Sequence, residues 1–450
     1  MTNYIILVLC IVIVLSYLFD ISSKYSKIPA VILLIGLGII LQVVSRSTGL
    51  EIPNMRPFLP VIGTLGLILI VLHASLDLKL EKQKSVLLRK SVLSAFVLLV
   101  VVVAVASMFF VWILGYPVIT AVLNSIPLGI ISSAVAIPSA GHLKVQEKEF
   151  IIYESSFSDI FGIMVFDFIL YNEGNIAGGI PHYIFAGFIT VIIAIAATSA
   201  IAILLHKISY HVNYVIIMTA VVLIYALAKL YHLPALLIVL VFGLALANSE
   251  VVENTRINRI VDFDKFKKDV DSFGKILGEM TFLVRSFFFI IFGYYTSLEG
   301  VFYLSNLFVA LSITAGILVI RWLFVYFVLR IESPTLVLFA PRGLITILLF
   351  ISIPAVHLIP QVNTEVITLV ILMTMLAMMM GNIFYARKEK MPKGLENLGP
   401  AIAIHPDHPG EPDLQGQPDL MDQRDLPGQS GLQDQPDLNG IKPDDTPGAD

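Results

Sequence analysis

The chain is short of what soluble proteins are built with. Charged residues make up 14% of its 450 positions, where soluble domains carry about a quarter. It has one cysteine, Cys10, so an intrachain disulfide and a cysteine metal cluster are both excluded. No nucleotide-binding glycine loop, metalloprotease motif or Ser-His-Asp set occurs, so the sequence predicts no enzyme and no cofactor. Nothing in it points to nucleic acid. What is abundant instead is apolar surface: 57% of the residues are hydrophobic. That composition is one of an integral membrane protein in contact with a lipid bilayer, and it excludes a soluble enzyme. The first apolar run, YIILVLCIVIVLSYLF, has no basic residue ahead of it and no small-residue cleavage site after it. It reads as a retained span rather than a removed signal peptide.

Apolar runs of roughly 17–25 residues can cross a bilayer as helices. The sequence predicts spans near 4–19, 28–44, 58–78, 91–114, 117–140, 151–171, 182–205, 213–232, 234–248, 279–298, 302–329, 334–357 and 364–385. Loops after the odd-numbered spans carry basic residues such as Lys82, Lys84, Arg89, Lys148, Arg259, Lys268 and Arg387. Loops after the even-numbered spans hold only Arg46 and Arg56. By the positive-inside rule the N-terminus is outside and the C-terminus cytoplasmic, which for a bacterial protein means the plasma (inner) membrane. The stretch 249–278, with DFDKFKKDVDSFGKIL, reads either as an amphipathic helix along the cytoplasmic face or as a solvated loop. The composition changes after Pro392 to repeats of Asp, Gln, Pro, Gly and Leu. Two regions are therefore expected: a transmembrane domain over 1–390, and a disordered cytoplasmic low-complexity tail over 391–450.

Ionisable groups inside spans are costly and usually functional. Those to explain are Glu154, Asp159, Asp167, Arg285, Arg321 and Arg342. Lys229, near the end of its span, is expected to snorkel to the interface. In YESSFSDIFG, Glu154 and Ser158 are four apart, as are Ser155 and Asp159, so each pair shares a helix face. Two carboxylates and two hydroxyls on one stripe suit a hard cation. Serines alone would serve equally to glue helices together. Asp159 lies roughly 7–8 Å deeper than Glu154 at helical rise, too deep for so short a side chain to reach the interface. His73, His142 and His357 read as packing or interface histidines, His73 being the best candidate for a pH-sensitive group.

Two spans look broken. The fifth reads PLGIISSAVAIPSAG, with Ser132, Ser133 and Pro138; the twelfth reads LFAPRGLITILLFISIP, with Pro341, Arg342 and Gly343. Proline removes a backbone donor and clashes with the preceding turn. Both breaks fall in the fifth span of a group of six, the pattern of paired interrupted helices around a transport site. The expected fold is thus an all-α polytopic membrane protein of about 13 transmembrane helices, in two inverted repeats with broken crossing helices at spans 5 and 12.

Three ordered stretches then resemble a family. GLILIVLHASLDL resembles the third-span motif of the monovalent cation/proton antiporters, ESSFSD their E-S-L-x-N-D stretch, and APRGL their G-[PL]-R-G stretch. Order and spacing resemble the NhaP-like and NHE sodium/proton exchanger branch over 4–385. The resemblance implies that Asp159 binds proton or cation, that Glu154 pairs with Arg321, that Ser155 lies near the ion, and that Arg342 supports the broken twelfth span. It also implies a homodimer. Relatives carry Thr-Asp-Pro in span five where this chain has Ser132-Ser133-Ala134, and Asn where it has Ser158. The span of Arg285 resembles the one carrying a functional lysine in electrogenic relatives. The expected function is antiport of a monovalent cation, Na⁺ before Li⁺ or K⁺, for H⁺. It would be electroneutral unless Asp167 or Arg285 also exchanges protons. K⁺/H⁺ antiport is the alternative, followed by a cation channel or a non-transporting sensor.

Overall fold

A computed structural model describes residues 2–26, 28–48, 55, 57–78, 84–141, 143–207, 213–248, 263–331 and 333–390. His142, the tail from 391, the 249–262 part of the polar stretch, and several expected loop charges such as Arg56, Lys82 and Arg259 lie outside them.

Among the described residues the chain is helical and contains no strand. The helices are α1 (Thr2–Ser26), α2 (Ala30–Thr48), α3 (Phe58–Asp77), α4 (Ser85–Trp112), α5 (Val118–Gly129) and α6 (Ser133–Ser139). They continue as α7 (Val145–Tyr171), α8 (Ile176–Lys207), α9 (Asn213–Leu230), α10 (Ala235–Ala247) and α11 (Phe263–Tyr295). The last are α12 (Leu304–Leu323), α13 (Pro334–Leu338), α14 (Leu344–Ile351) and α15 (Thr364–Lys390). Helix falls on each of the expected spans, and among the described residues eight stretches are long and apolar enough to cross a bilayer by themselves. The described part of the polar stretch is neither a loop nor a separate helix: from Phe263 it runs into the tenth span as one helix of 33 residues. Its charged residues occupy the first turns, where no apolar run marks a span.

The outward faces remain apolar. Phe188 on α8 and Phe308 on α12 are 65% and 70% exposed, as suits a surface solvated by lipid. Because lipid is as apolar as leucine, helices there associate through close packing rather than through exclusion of water. The α2–α11 contact shows how. A Cβ at Gly38 would lie 2.2 Å from the Ile290 carbonyl oxygen, and one at Gly293 would lie 2.3 Å from that of Ile35. The two backbones therefore touch reciprocally, and α11 also packs on α3. α7 is held between α4, α5 and α6.

Spans five and twelve are both interrupted. α5 contains Pro127 and stops at Gly129, and the chain runs extended through Ile130 and Ser132 before α6 begins. α13 starts with Pro334 at its first position, with Ser333 Oγ accepting from the Leu336 N–H, a favourable start for a short helix. It stops because Pro341 disfavours helical backbone at Ala340, and α14 resumes at Leu344.

Candidate functional site

An unwound segment inside a membrane must find partners for each backbone group it frees. In this protein the two breaks and α7 largely satisfy one another. The Ser132 N–H donates to the Pro341 carbonyl at 2.9 Å, joining one break to the other. The Ile131 N–H donates to Ser158 Oγ at 2.9 Å. The Arg342 N–H donates to Thr374 Oγ1 on α15 at 3.0 Å. The Arg342 side chain serves the carbonyls: Nε donates to Leu128 at 2.7 Å and Nη1 to Ala340 at 3.1 Å. A guanidinium at the C-terminal ends of α5 and α13 meets the negative ends of both helix dipoles. Gly343 allows the breaks to come this close, since a Cβ there would fall 2.4 Å from Ser132 Oγ and 2.8 Å from its Cβ.

Asp159 faces this junction from α7 and is 1% exposed. Its Oδ2 accepts the Ser133 N–H, at the first residue of α6, at 3.1 Å, and also the Ser133 hydroxyl. Its Oδ1 has no hydrogen-bond partner among the described residues. No Lys, Arg or His among the described residues makes a salt bridge to it. Glu154 is treated differently. Arg321 Nη2 and Nη1 grip its two oxygens at 2.8 and 3.1 Å, and Ser94 donates to Oε1. Both residues are almost fully buried, and Arg321 Nε also donates to the Leu336 carbonyl at 2.8 Å. This fork-to-fork geometry is the strongest form of ion pair. One and a half turns apart, α7 thus presents an acid with a counter-charge and an acid without one.

The transmembrane family model described as "Sodium/hydrogen exchanger, transmembrane" matches residues 9–383. The chain belongs to the sodium/hydrogen exchanger family. Its activity class is accordingly cation/proton antiport through a multi-pass membrane protein, a transporter rather than an enzyme. Two structures of the sodium proton antiporter MjNhaP1 from Methanocaldococcus jannaschii share its fold. The one at pH 8 is 19% identical, with a TM-score of 0.61 over 85% of this chain and 98% of that one. The one from an electron-microscopy map is 18% identical, with a TM-score of 0.62 over 89% and 100%. No curated protein sequence matches the chain.

The remaining candidate residues of this exchanger fall in four places. Ser155 is on α7 beside the site, but its hydroxyl donates to the Ile151 carbonyl of its own helix at 2.7 Å. Arg285, on α11, donates from Nη1 to the Ala134 carbonyl at 2.9 Å and lies 3.6 Å from Asp20. Together with His73, Thr281 and Pro138 it lines a cavity of about 130 Å³ that reaches Ser133. Asp167 stands apart, paired to Lys229 at 3.2 Å. Lys229, expected to reach only for the interface, is an ion-pair partner across helices. His357 bonds Thr120 Oγ1 at 2.9 Å and Glu173 at 2.8 Å, tying the end of span twelve to α5 and to the loop after α7. The part played by Arg342 in both breaks was not readable from the sequence. Its partners are remote in the chain, and the only signal was an arginine flanked by proline and glycine where lipid should be.

Proposed function

We propose that this exchanger swaps a monovalent cation, Na⁺ foremost, for H⁺ by making the two compete for Asp159. The observation that carries this reading is the contrast on α7: Glu154 has Arg321, and Asp159 has only neutral donors. A buried carboxylate without a counter-charge is unfavourable, and it can be neutralised by a proton or by an alkali cation, each excluding the other. Glu154 stays ionised in every state because removing one partner of a buried pair leaves the other stranded. One exchanging acid then means one positive charge in for one out. The Ser133 N–H and hydroxyl at the start of α6 hold the carboxylate in place, while the extended segments, free of helical hydrogen bonds, lie where the site must open to one side and then the other. Alternating access would come from one helix bundle rocking against a second, dimer-forming bundle. In the same reading residues 1–390 are the exchanging domain and 391–450 a cytoplasmic tail. The protein sits in the plasma membrane as a homodimer with its N-terminus outside. Ser132-Ser133-Ala134, in place of Thr-Asp-Pro, is the feature that favours K⁺/H⁺ exchange as a second reading.

Purified protein in liposomes carrying an imposed pH gradient tests this. Added Na⁺ should collapse the gradient faster than K⁺ and generate no membrane potential. Faster collapse with K⁺ would select the second reading, a potential would remove the one-for-one coupling, and a current indifferent to an opposing pH gradient would mark a channel.

A further inference from the structure

Five serines on or near the α7 face could serve the ion, and their hydroxyls are committed very differently. Ser132 Oγ has no hydrogen-bond partner among the described residues but does not line the cleft beside Asp159. Ser155 donates to the Ile151 carbonyl of its own helix and is not among the residues that line the cleft beside Asp159. Ser158 accepts from the Ile131 N–H and so holds open the break in span five. Ser133 is bonded to Asp159 Oδ2. Ser156 is 3% exposed and its Oγ has no hydrogen-bond partner among the described residues. Buried polar atoms are nearly always paired, so each exception asks for a reason. Here two exceptions coincide. Ser156 and Asp159 are three apart on one helix, hence on one face, and both line a single narrow cleft with Ser133, Ser75 of α3 and Leu240 of α10. The second exception is Asp159 Oδ1. Ser75 Oγ donates to the Leu72 carbonyl at 2.7 Å, which leaves its lone pairs for the cleft.

We propose that Ser156 Oγ and Asp159 Oδ1 are paired ligands of the transported cation, which therefore lies on the α3–α10 side of α7. Bare oxygen atoms, one of them charged, are the ligands a hard alkali cation takes. The proposal rests on Asp159 being the exchanging acid and adds where, and against which hydroxyl, the cation lies.

The test is Na⁺-driven exchange in proteoliposomes for Ser156→Ala and Ser156→Cys, with Ser91→Ala as a control whose hydroxyl bonds only its own helix. Ser156→Ala should raise the apparent KM for Na⁺ by about tenfold, the equivalent of one lost contact to a charged group. Its maximal rate should stay near wild type, and its preference among Li⁺, Na⁺ and K⁺ should change. Ser156→Cys keeps the volume but replaces a hard oxygen with sulfur, so it should shift KM similarly, whereas Ser91→Ala should not. A wild-type KM in Ser156→Ala overturns the proposal, as does a shift seen only in Ser155→Ala. A wild-type KM in Ser156→Cys would trace the effect to packing and overturn it equally. Asp159→Asn separates the two levels: if that variant is active the exchange reading itself fails, and if it is inactive while Ser156→Ala is normal, only the placement of the ion fails.

Discussion

Asp159→Asn should reduce cation-driven proton movement to the rate of protein-free liposomes while leaving the protein as stable as wild type or more so. The two halves of that result have one cause. The amide can still accept the Ser133 N–H and hydroxyl through its oxygen, so the contacts that fix α7 against the start of α6 survive. What disappears is the negative charge. Burying a carboxylate without a counter-charge is expensive, and a neutral amide removes that cost along with the ability to bind a proton or a cation in turn. Function and stability oppose each other at this residue, as they often do where a site is held in an unfavourable state. Thermal melting of the detergent-purified variant, measured beside its transport, checks both halves. An active variant, or an inactive one that melts well below wild type, would break the argument.

Arg321→Gln should behave in the opposite way, losing stability first. Arg321 gives Glu154 both of its guanidinium bonds and satisfies the Leu336 carbonyl. Removing one partner of a buried pair costs about 3–5 kcal/mol, chiefly because the remaining charge is left unpaired. Glu154→Gln should be costly for the same reason, stranding the arginine. The double variant Glu154→Gln/Arg321→Gln strands neither member of the pair, so it should be more stable than either single variant and should retain exchange. Melting temperatures of the three proteins form a double-mutant cycle. If the double variant were the least stable of the three, or folded but inactive, Glu154 would be more than the structural acid described here.

The contrast between these two acids shows how far the sequence could be read. Span positions follow from apolar runs, and the breaks follow from proline and glycine within those runs. Both are local, and the helices and interruptions fall where expected. The boundary of α11 was not legible. Helical spacing of Phe and Val marks a helix there as one reading, but nothing local says that it continues unbroken into the span. At the site, the face shared by Glu154, Ser155, Ser158 and Asp159 could be drawn from helical spacing. What each hydroxyl bonds could not. Ser158 reaches Ile131, 27 positions away, and Arg342 reaches Leu128 across 214. Such contacts belong to the tertiary fold and leave no local periodicity. The distinction between Ser155, turned back on its own helix, and Ser156, left without a partner, is one of rotamer and environment, invisible in the run ESS. Lys229 carries the same lesson. A lysine near a span end ordinarily snorkels, and its partner Asp167 comes from another helix.

The central claim is that proton and cation use the same carboxylate, and the apparent KM for Na⁺ measured across pH in wild-type proteoliposomes addresses it most directly. If the two compete for Asp159, lowering the pH fills the acid with protons and must be answered with more Na⁺. On the acidic limb KM should then rise by about tenfold per pH unit, as linkage requires for one competing proton, with the maximal rate at saturating Na⁺ unchanged. A KM that stays flat across pH while the maximal rate falls would place proton and cation at different groups and contradict the account.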